Sequence, residues 1–325
     1  MDGGATGGGE YGMSKSSGAD ILSVYRKAVP EVIRRPVRLL RRHWQRQLWP
    51  FFQRQSVRLL DSNVRSMSKR LSTLQGSYRG QRCFIMGNGP SLNRMDLELF
   101  GQEHVWGLNK CYLLFDRISW RPGFYVAVDA RLASDVATEV NSLVRDYPQT
   151  KFFFPVSFRE QRVVRSDANV YWYHEVPLAS VGYTYYSSNI DELTIPPDLM
   201  FTRDASRWVS GVTTVAIAAL QLAVYLGFDP IYLIGCDTSF TTPSTVRVEG
   251  RNVVEVVSTQ DDDPSHFDPR YLGRGSKWAL PDVNGMLYHY QQAKQVCESL
   301  GVGVYNATVG GKLEVFPRVD YRDLF

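Results

Sequence analysis

Seven short apolar runs constrain the fold. Cys83–Met86, Val105–Leu108, residues 124–128, residues 151–154, Val170–Tyr173, Ile231–Ile234 and residues 302–305 are each rich in apolar or β-branched side chains. Several are apolar almost without interruption, as strands covered on both faces of a parallel sheet are. Helical patterns lie between some of them. The clearest spans about 212–225 and stops at Gly227; another spans about 283–300 and stops at Gly301. Strand–helix–strand alternation predicts an α/β fold: a doubly wound, Rossmann-like, mostly parallel sheet flanked by helices. No internal repeat interrupts it. Residues 238–278 are polar, long and without a strong period, and are read as a functional loop.

The charge divides the chain. The net charge is only +4, yet residues 21–80 carry 14 Lys and Arg against Glu31 and Asp61, a local +12 that leaves −8 elsewhere. Near-neutrality is therefore a cancellation. Within this stretch Val37, Leu40, Trp44, Leu48 and Phe51 recur at helical steps, with Arg38, Arg41, Arg42 and Arg46 between them and Pro36 and Pro50 as punctuation. Two readings stand side by side: a basic helix on an anionic membrane surface through residues 30–55, or a helix docked on the body. Nucleic acid is not expected as a partner, because no recognised module accompanies the charge. Three segments are expected: a flexible tail over 1–20, a basic helical extension over 21–80 and a nucleotide-binding catalytic domain over 81–325.

Four cysteines in 325 residues, none in C-x-x-C spacing, predict neither a disulfide framework nor a zinc site, and a reducing compartment is the default. No apolar stretch is long enough to span a bilayer, and the first residues do not read as a signal peptide.

The sharpest local feature is Gly87-Asn88-Gly89-Pro90-Ser91-Leu92, directly after the first strand. Two glycines permit a tight turn and close approach, and Pro90 and Ser91 suit a helix start, whose free N–H groups favour an anion. The turn reads as a phosphate cradle or as a ligand-free strand-to-helix turn. Asn109, Asp129 and Asp237 stand at the carboxyl ends of strands, where ligands of parallel sheets collect. Asn109 suits a base, a ribose or an Asx turn; the two acids suit Mg²⁺, sugar hydroxyls or loop caps. Ser210 and Gly211 precede the strongest helix, with Ser210 as its expected N-cap and Arg207 nearby for a phosphate or carboxylate. His266 follows Asp261, Asp262 and Asp263 inside the long polar segment, as a proton-transfer residue or a solvated loop histidine.

Taken in order, the 87–92 turn, Asn109-Lys110, Ser210-Gly211-Val212 with its Ala-rich helix, Leu226-Gly227-Phe228, residues 231–237, Ser265-His266-Phe267 and the ending with Gly310-Gly311-Lys312 and Phe316-Pro317-Arg318 resemble one superfamily. It holds the MptE-like family of archaeal 6-hydroxymethylpterin diphosphokinases and the bacterial CMP-sialic acid transferases of glycosyltransferase family 42. The resemblance covers residues 82–325. The transferase side implies an inverting glycosyltransferase of polysaccharide biosynthesis, with no essential metal and no cofactor. It uses a nucleotide-sugar donor, CMP-linked, and a surface-glycan or lipid-linked acceptor. Asn88, Asn109 and Ser210 would hold the nucleotide, Arg207 would lie near the acceptor and His266 would be the general base. Phe267 stands where that family has a tyrosine, and Tyr271 is the candidate substitute. Asp129 stands near an asparagine position. The diphosphokinase side implies Mg²⁺-ATP, with Asp129 and Asp237 as metal ligands and Gly87, Gly89 and Ser91 around the phosphates. A third reading is an inactive membrane-associated scaffold. The resemblance also implies a homo-oligomer, and the expected location is cytoplasmic, peripheral on the inner membrane face.

Overall fold

The computed structural model describes residues 69–128, 137–178, 183, 195–249 and 255–325. The expected tail over 1–20, the helix of residues 30–55 and Asp129 lie outside the described residues.

The protein is an α/β fold around a seven-stranded parallel sheet. In chain order the sheet uses β1 (Cys83–Met86), β2 (Val105–Leu108), β3 (Phe124–Val126), β4 (Lys151–Pro155) and β5 (Val170–Tyr173). Two short strands follow, β6 (Glu175–Val176) and β7 (Val209–Ser210), then β8 (Ile231–Ile234). Three more, β9 (Arg247–Glu249), β10 (Glu255–Val257) and β11 (Lys277–Ala279), precede β12 (Val304–Asn306). The large sheet runs β12-β8-β1-β2-β3-β4-β5. All six of its pairings are parallel.

The apolar runs are uninterrupted because both faces are covered. In β1, Cys83 and Ile85 join one core while Phe84 and Met86 join the other. In β4, Phe153 faces the first core and Phe152 and Phe154 the second. This is the period-two alternation of a strand with both sides apolar. Helix α4 (Val215–Leu226) covers the first face, after α1 (Ala137–Asp146), α2 (Val156–Glu160) and α3 (Pro197–Met200). Its side chains from Ala216 to Ala223 are all buried, Gln221 included. Helix α5 (Val283–Leu300) is capped by Asp282, which accepts from the Gly285 N–H at 3.0 Å. Gly227 and Gly301 close α4 and α5 at φ +92° and +72°, the left-handed conformation that favours glycine. Residues at the end of the basic segment pack on the body: Leu71 is fully buried, and Tyr78 stacks on Phe228 at 4.6 Å.

Two local expectations are corrected. Ser210 does not cap α4. The helix begins at Val215 after Thr214, and Ser210 lies in β7, parallel to β6, with its N–H donated to Gln221 Oε1 at 3.0 Å. Strand pairing and a buried glutamine take the backbone that the cap needed. The long polar segment is also not a featureless loop. It folds β9, β10 and β11 into a small antiparallel sheet, with Val256 opposite Val248 and Trp278.

Candidate functional site

Strand order reverses at β1, which has β2 on one side and β8 on the other. Ligands of open α/β sheets bind at the carboxyl ends of strands beside such a reversal. A cavity of about 730 Å³ lies there, floored by Gly87, Asn88 and Gly89 after β1, Asn109 after β2 and the turn 235–237 after β8.

The floor is built by close backbone approach. A Cβ on Gly87 would come within 2.3 Å of the Gly235 carbonyl oxygen, and one on Gly89 within 1.9 Å of Asp237 Oδ2. Both glycines are therefore required by the neighbouring turn itself. Ser91 donates its N–H to Asp237 Oδ1 at 3.2 Å and its hydroxyl to Oδ2 at 2.6 Å. Burial pushes the Asp237 carboxyl up, and the Ser91 bonds oppose that rise. Behind the turn, the Lys312 N–H donates to the Asp237 carbonyl at 2.7 Å, and Arg94 donates to the Val309 carbonyl. Both oxygens of Asp237 accept from Ser91, and Asp129, the other acid expected as a Mg²⁺ ligand, lies outside the described residues.

Two amides leave oxygens open. Asn88 is only 8% exposed, and its Nδ2 donates to the Leu108 carbonyl at 3.0 Å and to the Tyr271 hydroxyl at 3.1 Å. A carbonyl can only accept, so this fixes which end of the amide is which. Asn88 Oδ1 is left buried with no partner, as is Asn109 Oδ1. Asn109 turns the chain at φ +47°, a conformation asparagine tolerates, and its carbonyl accepts from the Tyr125 hydroxyl at 2.5 Å.

His266 lines the same cavity. Its Nδ1 lies 2.7 Å from Asp263 Oδ2, and its ring stacks on Tyr271 at 3.9 Å and 8°. The Phe267 N–H donates to the Asn88 carbonyl at 2.9 Å, which ties the histidine segment to the first turn. The three consecutive acids have separate partners: Asp261 accepts from the Arg274 N–H, Asp262 from the Thr245 hydroxyl, and Asp263 from His266.

Of the expected site residues, Gly87, Asn88, Gly89, Asn109, Asp237 and His266 line the cavity together. Pro90, Ser91, Arg207, Ser210 and Gly211 are not in its lining. Pro90 begins a short 3₁₀ turn behind the floor, and Gly211 donates its N–H to the Val176 carbonyl at 2.7 Å. Arg207 pairs with Asp204 at 3.1 Å, with its side chain 58% exposed. The lining also holds Glu175, which the sequence reading missed. Burial pushes its carboxyl up. Glu175 lies just beyond β5, so the strand-end rule that found Asn109 and Asp237 applies to it as well. Cys236 lines the cavity too, its thiol pushed up to about 12 by burial. The four cysteines are free, and no helix among the described residues is long and apolar enough to cross a membrane.

No protein-family model matches the chain, and no curated protein matches it. Among solved structures it is similar to the MAf glycosyltransferase from Magnetospirillum magneticum AMB-1, at 14% identity and a TM-score of 0.42. The likeness covers 80% of this chain and 38% of that one.

Proposed function

We propose that this chain is a glycosyltransferase that moves a sugar from a nucleotide-activated donor, CMP-linked, to a hydroxyl of a glycan or lipid-linked acceptor. The observation that carries the reading is one cavity holding His266 beside two buried, unpaired amide oxygens, on Asn88 and Asn109. An unpaired buried acceptor is costly, so the floor favours a ligand that brings N–H or O–H donors. A cytosine amine and ribose hydroxyls supply them. With the nucleotide there, His266 removes the proton of the acceptor hydroxyl as that oxygen attacks the anomeric carbon. The bond to the donor phosphate breaks on the opposite side, its electron pair leaves on the phosphate oxygen, and configuration inverts. The step uses no metal. The diphosphokinase reading has less support, because Asp237 is bound to Ser91.

The basic segment 30–55 would hold the enzyme peripherally at the inner face of an anionic membrane, where lipid-linked acceptors lie. Deleting residues 1–68 should then release the protein from anionic vesicles. For the chemistry, thermal shifts with CMP, CDP, ATP and GTP, each with and without Mg²⁺, decide between the readings. Stabilisation by CMP without metal is expected; a shift seen only with Mg²⁺-ATP would sink the transferase reading. His266→Ala should keep the CMP shift and lose transfer.

A further inference from the structure

We propose that Asp263 is a positioning residue that fixes His266 in the tautomer with a proton on Nδ1 and a bare Nε2 facing the cavity. The inference rests on reading His266 as the base.

The Asp263 side chain is only 4% exposed. Its Oδ1 accepts from the Ser265 N–H at 2.9 Å, and its Oδ2 accepts from the Leu272 N–H at 3.2 Å and faces His266 Nδ1 at 2.7 Å. Two backbone amides, which can only donate, thus orient the carboxylate as an acceptor before the imidazole is considered. The ring must bring a proton to it on Nδ1, which leaves the lone pair on Nε2. The ring plane is set independently by Tyr271 at 3.9 Å, and Tyr271 is itself held by Asn88 Nδ2 at 3.1 Å and by Lys110 Nζ, which donates to its carbonyl at 2.7 Å. Nδ1 is turned into the protein, His266 is a lining residue with its side chain 16% exposed, and Nε2 lies on the opposite edge of the ring. When Nε2 takes the acceptor proton, the Nδ1 proton stays in place. The positive charge that forms on the ring then sits against a carboxylate already fixed in position, the division of labour by which a buried acid serves a histidine base.

The test uses the full chain with ¹⁵N-labelled histidine. It has five histidines, and the His266 signals are those lost in His266→Gln. Two-bond ¹H–¹⁵N spectra at neutral pH should show Nδ1–H and an unprotonated Nε2 in the wild type. Asp263→Asn should shift the population toward Nε2–H. It should also slow diethylpyrocarbonate modification of His266 by roughly an order of magnitude, since only a nitrogen with a lone pair reacts. The thermal shift with CMP should not change. An Nε2–H tautomer in the wild type overturns the proposal without any variant, as does an unchanged tautomer in a folded Asp263→Asn. Neither readout needs a donor sugar, so a failed transferase reading and a failed positioning role give different results.

Discussion

Gly89 has no room for a side chain beside Asp237: a Cβ there would lie 1.9 Å from Oδ2 and 2.8 Å from the Gly235 carbonyl oxygen. The backbone of Gly89, at φ −70° and ψ 158°, suits any residue, so the constraint is purely steric. Gly89→Ala should destabilise the fold by about 1–3 kcal/mol, the usual range for overpacking. Urea denaturation measures it. Adding Asp237→Ala should recover part of the loss; no recovery would place the strain at Gly235.

Asn88→Asp puts a carboxylate oxygen where an N–H₂ group now faces the Leu108 carbonyl at 3.0 Å. Two acceptors then oppose each other in a buried site, at a cost of about 1–3 kcal/mol. Stabilisation by CMP should also fall. A variant with the wild-type CMP shift would show that the Asn88 amide does not read the nucleotide.

His289 is fully buried, donates Nε2–H to the Met200 carbonyl at 2.6 Å and is pushed down to about 4 by burial. Its ordinary value is 6.5. Between these values the unfolded chain binds a proton that the native state refuses, so stability is full above 6.5 and falls as pH drops toward 4. The loss is about 3 kcal/mol. His289→Gln should flatten the melting profile over that window. Parallel profiles for the two proteins would contradict the assignment.

Glu175 behaves in the opposite sense, because burial raises its carboxyl and no side chain among the described residues bonds it. The native state holds this proton more tightly than the unfolded chain, so its contribution is best in acid and is lost as pH rises through the folded value. Glu175→Gln should be more stable than the wild type under mildly alkaline conditions, and the gap should close in acid. Equal melting temperatures in both would mean that the carboxyl is solvated.

Much of the sheet is legible because burial on both faces leaves so direct a mark. Phe152, Phe153 and Phe154 are consecutive aromatic residues that only a strand between two cores can hide together. The α5 boundaries are equally plain, with Asp282 and Gly301 as chemical stops. Ser210 misleads because its serine-glycine pattern suits a cap, while its actual partners are Gln221, in the helix that follows, and Val176, in another strand. In the site, Asn88, Asn109, Asp237 and His266 follow from their places at strand ends or in the polar segment. That Asp237 serves Ser91, and that Tyr271 joins His266 to Asn88, depends on approaches across more than a hundred residues, which no local pattern encodes.

The turn at Gly310 and Gly311 has a consequence for the order in which the molecule is made. Gly311 packs against the Asp237 backbone, and Lys312 bonds its carbonyl. The Arg82 guanidinium likewise waits for the Leu324 carbonyl, at 2.8 Å. On the ribosome, the first turn of the site emerges long before the segment that braces it. A nascent chain therefore carries Asn88 and Gly89 on an unbraced turn until residues 309–324 leave the exit tunnel.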